Sequence, residues 1–115
     1  MSQLKIFHNP RCSKSRQTLE IILAKGVEPE IIKYLDTPPS ATEILQLLEK
    51  LDVEVDGILR KTEAEYKQNF KDKVLSKSEK IDLMVKFPKV IERPIVFNDM
   101  QAIIGRPPEN VLELL

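Results

Sequence analysis

The sequence predicts an α/β fold with a mixed sheet, and three features of the chain predict it. A strand-like run, a helix-periodic run and a second strand-like run fill about the first 35 residues. Two more strand-like runs, joined by a short turn, lie near the end ahead of a last helical stretch. Between these parts, from about residue 36 to 92, the chain is polar and helix-prone with two capping signals.

Leu4 to Phe7 is a short apolar strand that ends at the turn signal Asn9-Pro10. From about Ser13 to Lys25 the period turns helical, with Leu19, Ile22 and Leu23 expected on one face. Lys25-Gly26 is a stop signal, a cation in the last turn followed by glycine. Glu30 to Leu35 reads as the second strand. Strand, helix and strand at this spacing make a right-handed βαβ unit, so the two strands are expected to be parallel.

Asp36-Thr37-Pro38-Pro39 breaks the pattern. Ser40 with Glu43 forms a capping box, and Ile44, Leu45, Leu47, Leu48 and Leu51 give the following helix a broad apolar face. A short helix is expected around Glu63 to Phe70. Ser76 with Glu79 is a second capping box, opening a helix through Ile81, Met84 and Val85 that stops before Pro88. Ile95-Val96-Phe97, Asn98-Asp99 and Ala102-Ile103-Ile104 read as an antiparallel hairpin. Pro107-Pro108 then opens a final short helix through Val111, Leu112 and Leu115. The order β-α-β, helical insertion, β-β-α is the thioredoxin-like arrangement with its middle enlarged. The expectation is one domain over 1–115, with a mostly helical insertion at about 36–92.

At 115 residues the chain has room for a single core. It is 42% hydrophobic and 31% charged with zero formal net charge, which argues against a nucleic-acid binder working through bulk positive charge. Charge is uneven, however: residues 1–35 hold six Lys/Arg against three Asp/Glu, and residues 36–85 hold eight against eleven. One cysteine precludes an intrachain disulfide. Met1 to Phe7 lacks the apolar run of a signal peptide, and no stretch approaches the roughly 18 apolar residues of a membrane span. No membrane association, no metal and a reducing cytoplasm are the expectations.

That cysteine, Cys12, lies in His8-Asn9-Pro10-Arg11-Cys12-Ser13-Lys14-Ser15-Arg16, between the first strand and the first helix. A thiol at the start of a helix meets unpaired backbone N–H groups and the positive end of the macrodipole. Both favour thiolate, as do basic neighbours, and the same geometry suits an oxyanion. Most free cysteines are small buried hydrophobes, but a position after a strand-ending proline among basic residues fits that role poorly. Ser15 stands where a dithiol redox protein has its resolving cysteine, so a sulfur intermediate on Cys12 needs an outside thiol. His8, the one histidine, is either a structural hydrogen bonder or a proton carrier that helps hold the thiolate. Ser15 and Arg16 either point back at the sulfur or serve as a cap and a solvated cation. Among the remaining arginines, Arg60, Arg93 and Arg106, Arg93 precedes Pro94, which holds the place of the cis-proline beside the catalytic cysteine of thioredoxin-like folds. A planar guanidinium suits a tetrahedral oxyanion.

Together these pieces resemble the glutaredoxin-linked arsenate reductase family over essentially the whole chain. The likeness rests on His8-Asn9-Pro10-x-Cys12-x-x-Ser15-Arg16, Tyr34-Leu35-x-Thr37-Pro38-Pro39, Leu59-Arg60-Lys61, Glu92-Arg93-Pro94-Ile95-Val96 and Gly105-Arg106-Pro107-Pro108-Glu109. The first and fourth of these, in order and at this spacing, are the specific ones. The resemblance implies reduction of arsenate to arsenite, with Cys12 attacking arsenic and with no bound cofactor. It implies glutathione as co-substrate and glutaredoxin as the partner that reduces the mixed disulfide. It also implies that Arg60, Arg93 and Arg106 hold the oxyanion and that His8 helps lower the thiol pKa. Two other classes share the fold: a monothiol glutaredoxin-like thiol transferase, and a non-catalytic regulator similar to Spx that binds RNA polymerase.

Overall fold

Four short strands form one mixed sheet in the computed structural model, which describes residues 3–115. Met1 and Ser2, the start of the domain expected over 1–115, lie outside the described residues. Strands β1 (Lys5–Phe7), β2 (Glu30–Ile32), β3 (Ile95–Phe97) and β4 (Ala102–Ile104) take the order β2-β1-β3-β4. β1 and β2 are parallel, with Ile6 opposite Ile31, as the βαβ reading requires. β3 is antiparallel to both β1 and β4, with Val96 opposite Ile6 and Ile103. This is the thioredoxin-like α/β fold.

Helices α1 (Ser13–Ala24), α2 (Ala41–Leu51), α3 (Ala64–Asn69) and α4 (Lys77–Lys86) fall where the sequence places them. Two details differ. The second strand ends at Ile32 rather than Leu35, because Lys33–Asp36 turns back on itself: Asp36 N–H and Thr37 N–H both donate to Lys33 O at 2.9 Å. The last element, Pro108–Leu114, is a 3₁₀ helix and not an α-helix.

The chain gathers into two compact units, Met1–Thr37 with Arg93–Leu115, and Pro38–Glu92. In the first, alternation along the strands sends Ile6 and Val96 to one face of the sheet, where they pack with Leu4, Ile22 of α1 and Val111 of the 3₁₀ helix. Ile6, Ile22, Val96 and Val111 are fully buried, each worth about 1.5–3 kcal/mol. Phe7 faces the other way and stacks on Tyr34 at 5.9 Å, with Phe97 edge-on at 5.2 Å. In the second unit Ile44, Leu47, Leu48, Val55, Ile58, Phe70, Ile81 and Met84 are buried. Both of its capping boxes form, Ser40 with Glu43 and Ser76 with Glu79.

Of the expected face of α1, Ile22 is buried and Leu19 packs against the core, but Leu23 does not face inward. The buried positions of α1 are Ser15, Thr18 and Ile22, while Leu23 is exposed. Small polar residues lie inward because the hairpin comes close to the helix: a Cβ on Gly105 would sit 2.6 Å from Thr18 Oγ1 and 2.8 Å from Pro94 Cγ. Thr18 donates its hydroxyl to Lys14 O at 2.8 Å, so its burial leaves no donor unpaired. Among the described residues no helix is long and apolar enough to cross a membrane.

Candidate active site

Asn9-Pro10-Arg11-Cys12 is a tight turn, closed by Cys12 N–H donating to Asn9 O at 3.0 Å. Asparagine at the first turn position and proline at the second are the residues such a turn selects. Asn9 Oδ1 accepts from Arg11 N–H at 3.0 Å and stiffens it. The turn delivers Cys12 to the N-cap of α1 in extended conformation (φ −95°, ψ 122°). Its carbonyl takes the first helical bond, from Arg16 N–H at 3.0 Å, while its side chain makes no capping bond. No acidic residue occupies the first turn of α1. The sulfur therefore sits at the positive end of a helix dipole that nothing else offsets locally.

Cys12 is 8% exposed. Arg106 Nη2 lies 3.7 Å from its Sγ and Arg106 Nε donates to Arg93 O at 2.7 Å, so the Arg93 backbone steadies the guanidinium on the sulfur. Arg93 Nε is itself buried and has no hydrogen-bond partner among the described residues. A buried guanidinium nitrogen left unpaired is costly and calls for an acceptor. The Arg93–Pro94 peptide is cis, as expected from its place before β3, and so is Arg106–Pro107.

His8 and Ser15 are buried together at the end of β1, with His8 Nδ1 and Ser15 Oγ 2.6 Å apart. Ser15 Oγ also accepts from Asn9 N–H at 3.0 Å. The His8–Ser15 bond runs in either direction according to the histidine tautomer. Burial first, then the positive charges of Lys33 and Arg16, holds His8 below its ordinary value of 6.5, so the ring is neutral at pH 7. Arg16 Nη1 donates to Pro10 O at 2.9 Å. Ser15 and Arg16 thus brace the turn that carries Cys12. Among the described residues the hydrogen bond to the sulfur comes from Arg106, and neither His8 nor Ser15 nor Arg16 makes one.

Six of the seven residues singled out in the sequence lie in the first unit: His8, Cys12, Ser15, Arg16, Arg93 and Arg106. Arg60 belongs to the second, where its Nη1 pairs with Glu63 at 2.7 Å and its N–H donates to Val90 O. Sequence reading missed Asn9 as the brace of the turn, although Asn-Pro is its signature. It also missed Gly105 and Thr18, whose only signal is a small residue on each of two elements that meet. Among the described residues no group of three His, Cys, Asp or Glu side chains is placed to hold a metal.

The thioredoxin-like sheet thus leads into a cysteine at the N-cap position of α1, with an arginine on its sulfur. The chain belongs to the ArsC family, whose model matches residues 7–114. It is 48% identical to the uncharacterized protein YfgD of Escherichia coli (strain K12), over 98% of this chain and 97% of that protein. It is 40% identical to an arsenate reductase of Escherichia coli, covering 100% of this chain and 82% of the relative. The solved arsenate reductase from Vibrio cholerae superposes with a TM-score of 0.94 at 46% identity, covering 99% and 98% of the two chains.

Proposed function

We propose that the chain is a cytoplasmic arsenate reductase in which Cys12 is the nucleophile. The observation that carries this reading is the sulfur at the uncapped start of α1, with Arg106 Nη2 at 3.7 Å and the buried, unpartnered Arg93 Nε in the same unit. Identity of 40% with an arsenate reductase across the whole chain supports the choice of oxyanion.

Arsenate binds to the guanidinium groups, and the Cys12 thiolate attacks arsenic and displaces hydroxide or water. Arg93 and Arg106 hold the oxyanion. His8, neutral at pH 7 and tied to Ser15, positions the turn and exchanges a proton; Arg16 locks the Pro10 carbonyl. Glutathione then attacks the adduct. An S–S bond forms between glutathione and Cys12, the S–As bond breaks with its electron pair on arsenic, and As(V) becomes As(III). With no second cysteine in the chain, the mixed disulfide passes to glutaredoxin.

The test is arsenate-dependent NADPH oxidation coupled through glutathione reductase, glutathione and glutaredoxin, with Cys12→Ser beside the native chain. Turnover is expected to need arsenate, glutaredoxin and Cys12. Deglutathionylation of a test peptide without any response to arsenate would replace this reading by a thiol transferase. Co-purification with RNA polymerase and no turnover would replace it by a regulator.

A further inference from the structure

Arg11 lies in the turn that carries Cys12, Lys14 and Arg16 lie in the first turn of α1, and Lys33 follows β2. His8 N–H donates to Ile32 O at 2.9 Å, which brings the Lys33 end of β2 beside the cysteine turn. All four cations are exposed. None makes an ion pair among the described residues; Asp36 meets Lys33 through a backbone bond alone. Four like charges around one turn repel each other, and an anion relieves that repulsion. The effect of Lys33 and Arg16 on His8 is the same field felt inside the unit.

The chemistry at Cys12 asks for such a field. Arg106 and Arg93 are already engaged with the oxyanion when the resolving thiolate arrives, so a second anion must approach a negatively charged adduct. Cys12 as a whole is 8% exposed, which favours a slim reactant. We propose that Arg11, Lys14 and Lys33 form a second anion-recognising surface, separate from the oxyanion arginines, that selects a small carboxylate-bearing thiol to resolve Cys12. The inference rests on the reading of Cys12 as a nucleophile resolved from outside. In that step the incoming thiolate forms an S–S bond with Cys12, and the group previously bonded to the Cys12 sulfur leaves with the electron pair.

The experiment uses the full chain with Cys12 joined to 5-thio-2-nitrobenzoate, whose coloured thiolate is released on exchange. Second-order rates are measured with glutathione, neutral 2-mercaptoethanol and cationic cysteamine, for the native chain and for Lys14→Glu/Lys33→Glu. Comparing each thiol between the two proteins cancels its intrinsic reactivity. The double variant is expected to slow glutathione about tenfold relative to 2-mercaptoethanol and to favour cysteamine, with both effects shrinking at about 0.5 M salt. A change shared equally by the three thiols, or none, overturns the proposal. Arsenate turnover is run on the native chain in parallel. Turnover without thiol selectivity overturns this inference alone, and selectivity without turnover overturns the reductase reading alone.

Discussion

Helix α1 of the first unit and helices α2 and α4 of the second begin in opposite ways. In the second unit α2 and α4 each start with a complete capping box: Ser40 N–H donates to Glu43 Oε1 at 3.0 Å and Glu43 N–H to Ser40 Oγ at 3.2 Å, with near-identical bonds at Ser76 and Glu79. Every such bond satisfies a helix N–H that would otherwise need water, and the glutamates answer the helix dipole. In the first unit α1 starts with Cys12, makes no side-chain cap, has Ser15 at the position that Glu43 and Glu79 hold, and carries no acid in its first turn. Residues chosen for helix stability alone would resemble Ser40 or Ser76. An N-terminus left open and flanked by cations gives up that stability, and the proposed anion site accounts for it.

The largest test of that contrast is Cys12→Ser. Serine is a preferred N-cap, so it is expected to stabilise the chain by about 0.5–1 kcal/mol in urea unfolding. The same change is expected to abolish thiol-dependent turnover altogether, because an alkoxide does not replace a thiolate here. Lower stability would mean that the sulfur is held by more than Arg106. Stability and activity moving in opposite directions is the signature of a start built for chemistry.

Ser15→Ala strikes the brace behind the cysteine. It removes the partner of His8 Nδ1 and the acceptor of Asn9 N–H, leaving buried polar groups unpaired at a cost of about 2 kcal/mol. Turnover is expected to fall as well, since the Asn9–Cys12 turn loses its anchor. Unchanged unfolding would show that water replaces the hydroxyl. Ser40→Ala removes a cap of ordinary kind in the second unit, with an expected loss of about 1 kcal/mol and unaltered turnover.

The same contrast explains what sequence makes legible. The second unit's helix starts are local chemistry, Ser and Glu three residues apart, and both are found where they are read. The hairpin is equally local: two apolar runs flank the Asn98-Asp99 turn, and Ile95 pairs with Ile104 across it. The buried face of α1 is a matter of what packs against it. Periodicity favours Leu23 over Ser15 and Thr18, but Gly105 comes close against Thr18, and Ser15 is buried against His8. The last helix is 3₁₀ for a related reason. It is seven residues long, too short to gain much from helix propensity, and it is tied down by Val111 in the core with Ile22 of α1. At the site, Cys12 and the cis Arg93–Pro94 bond are legible from order and spacing. The bond from Arg106 Nε to Arg93 O, which sets a guanidinium on the sulfur, spans 13 residues and has no local signal.

The smallest expected effects separate the two units by pH. Hydrogen bonds from Ser76 lower the Glu79 carboxyl below its ordinary 4.5, so its contribution is fully present above that value and is lost as pH falls through the folded pKa. His8 is lowered from 6.5, so the unfolded chain takes up this proton first and stability declines as pH falls from 6.5 toward the folded pKa. Acid therefore acts on the cysteine turn before it acts on the α4 cap. Because His8 is the one histidine, its ring protons give a single titration by nuclear magnetic resonance. Lys33→Gln removes one of the positive charges that depress it, and the midpoint is expected to move upward, toward but not reaching 6.5, since burial is the larger cause. A midpoint that stays in place would remove Lys33 from the field around the turn and, with it, part of the case for a charged surface beside Cys12.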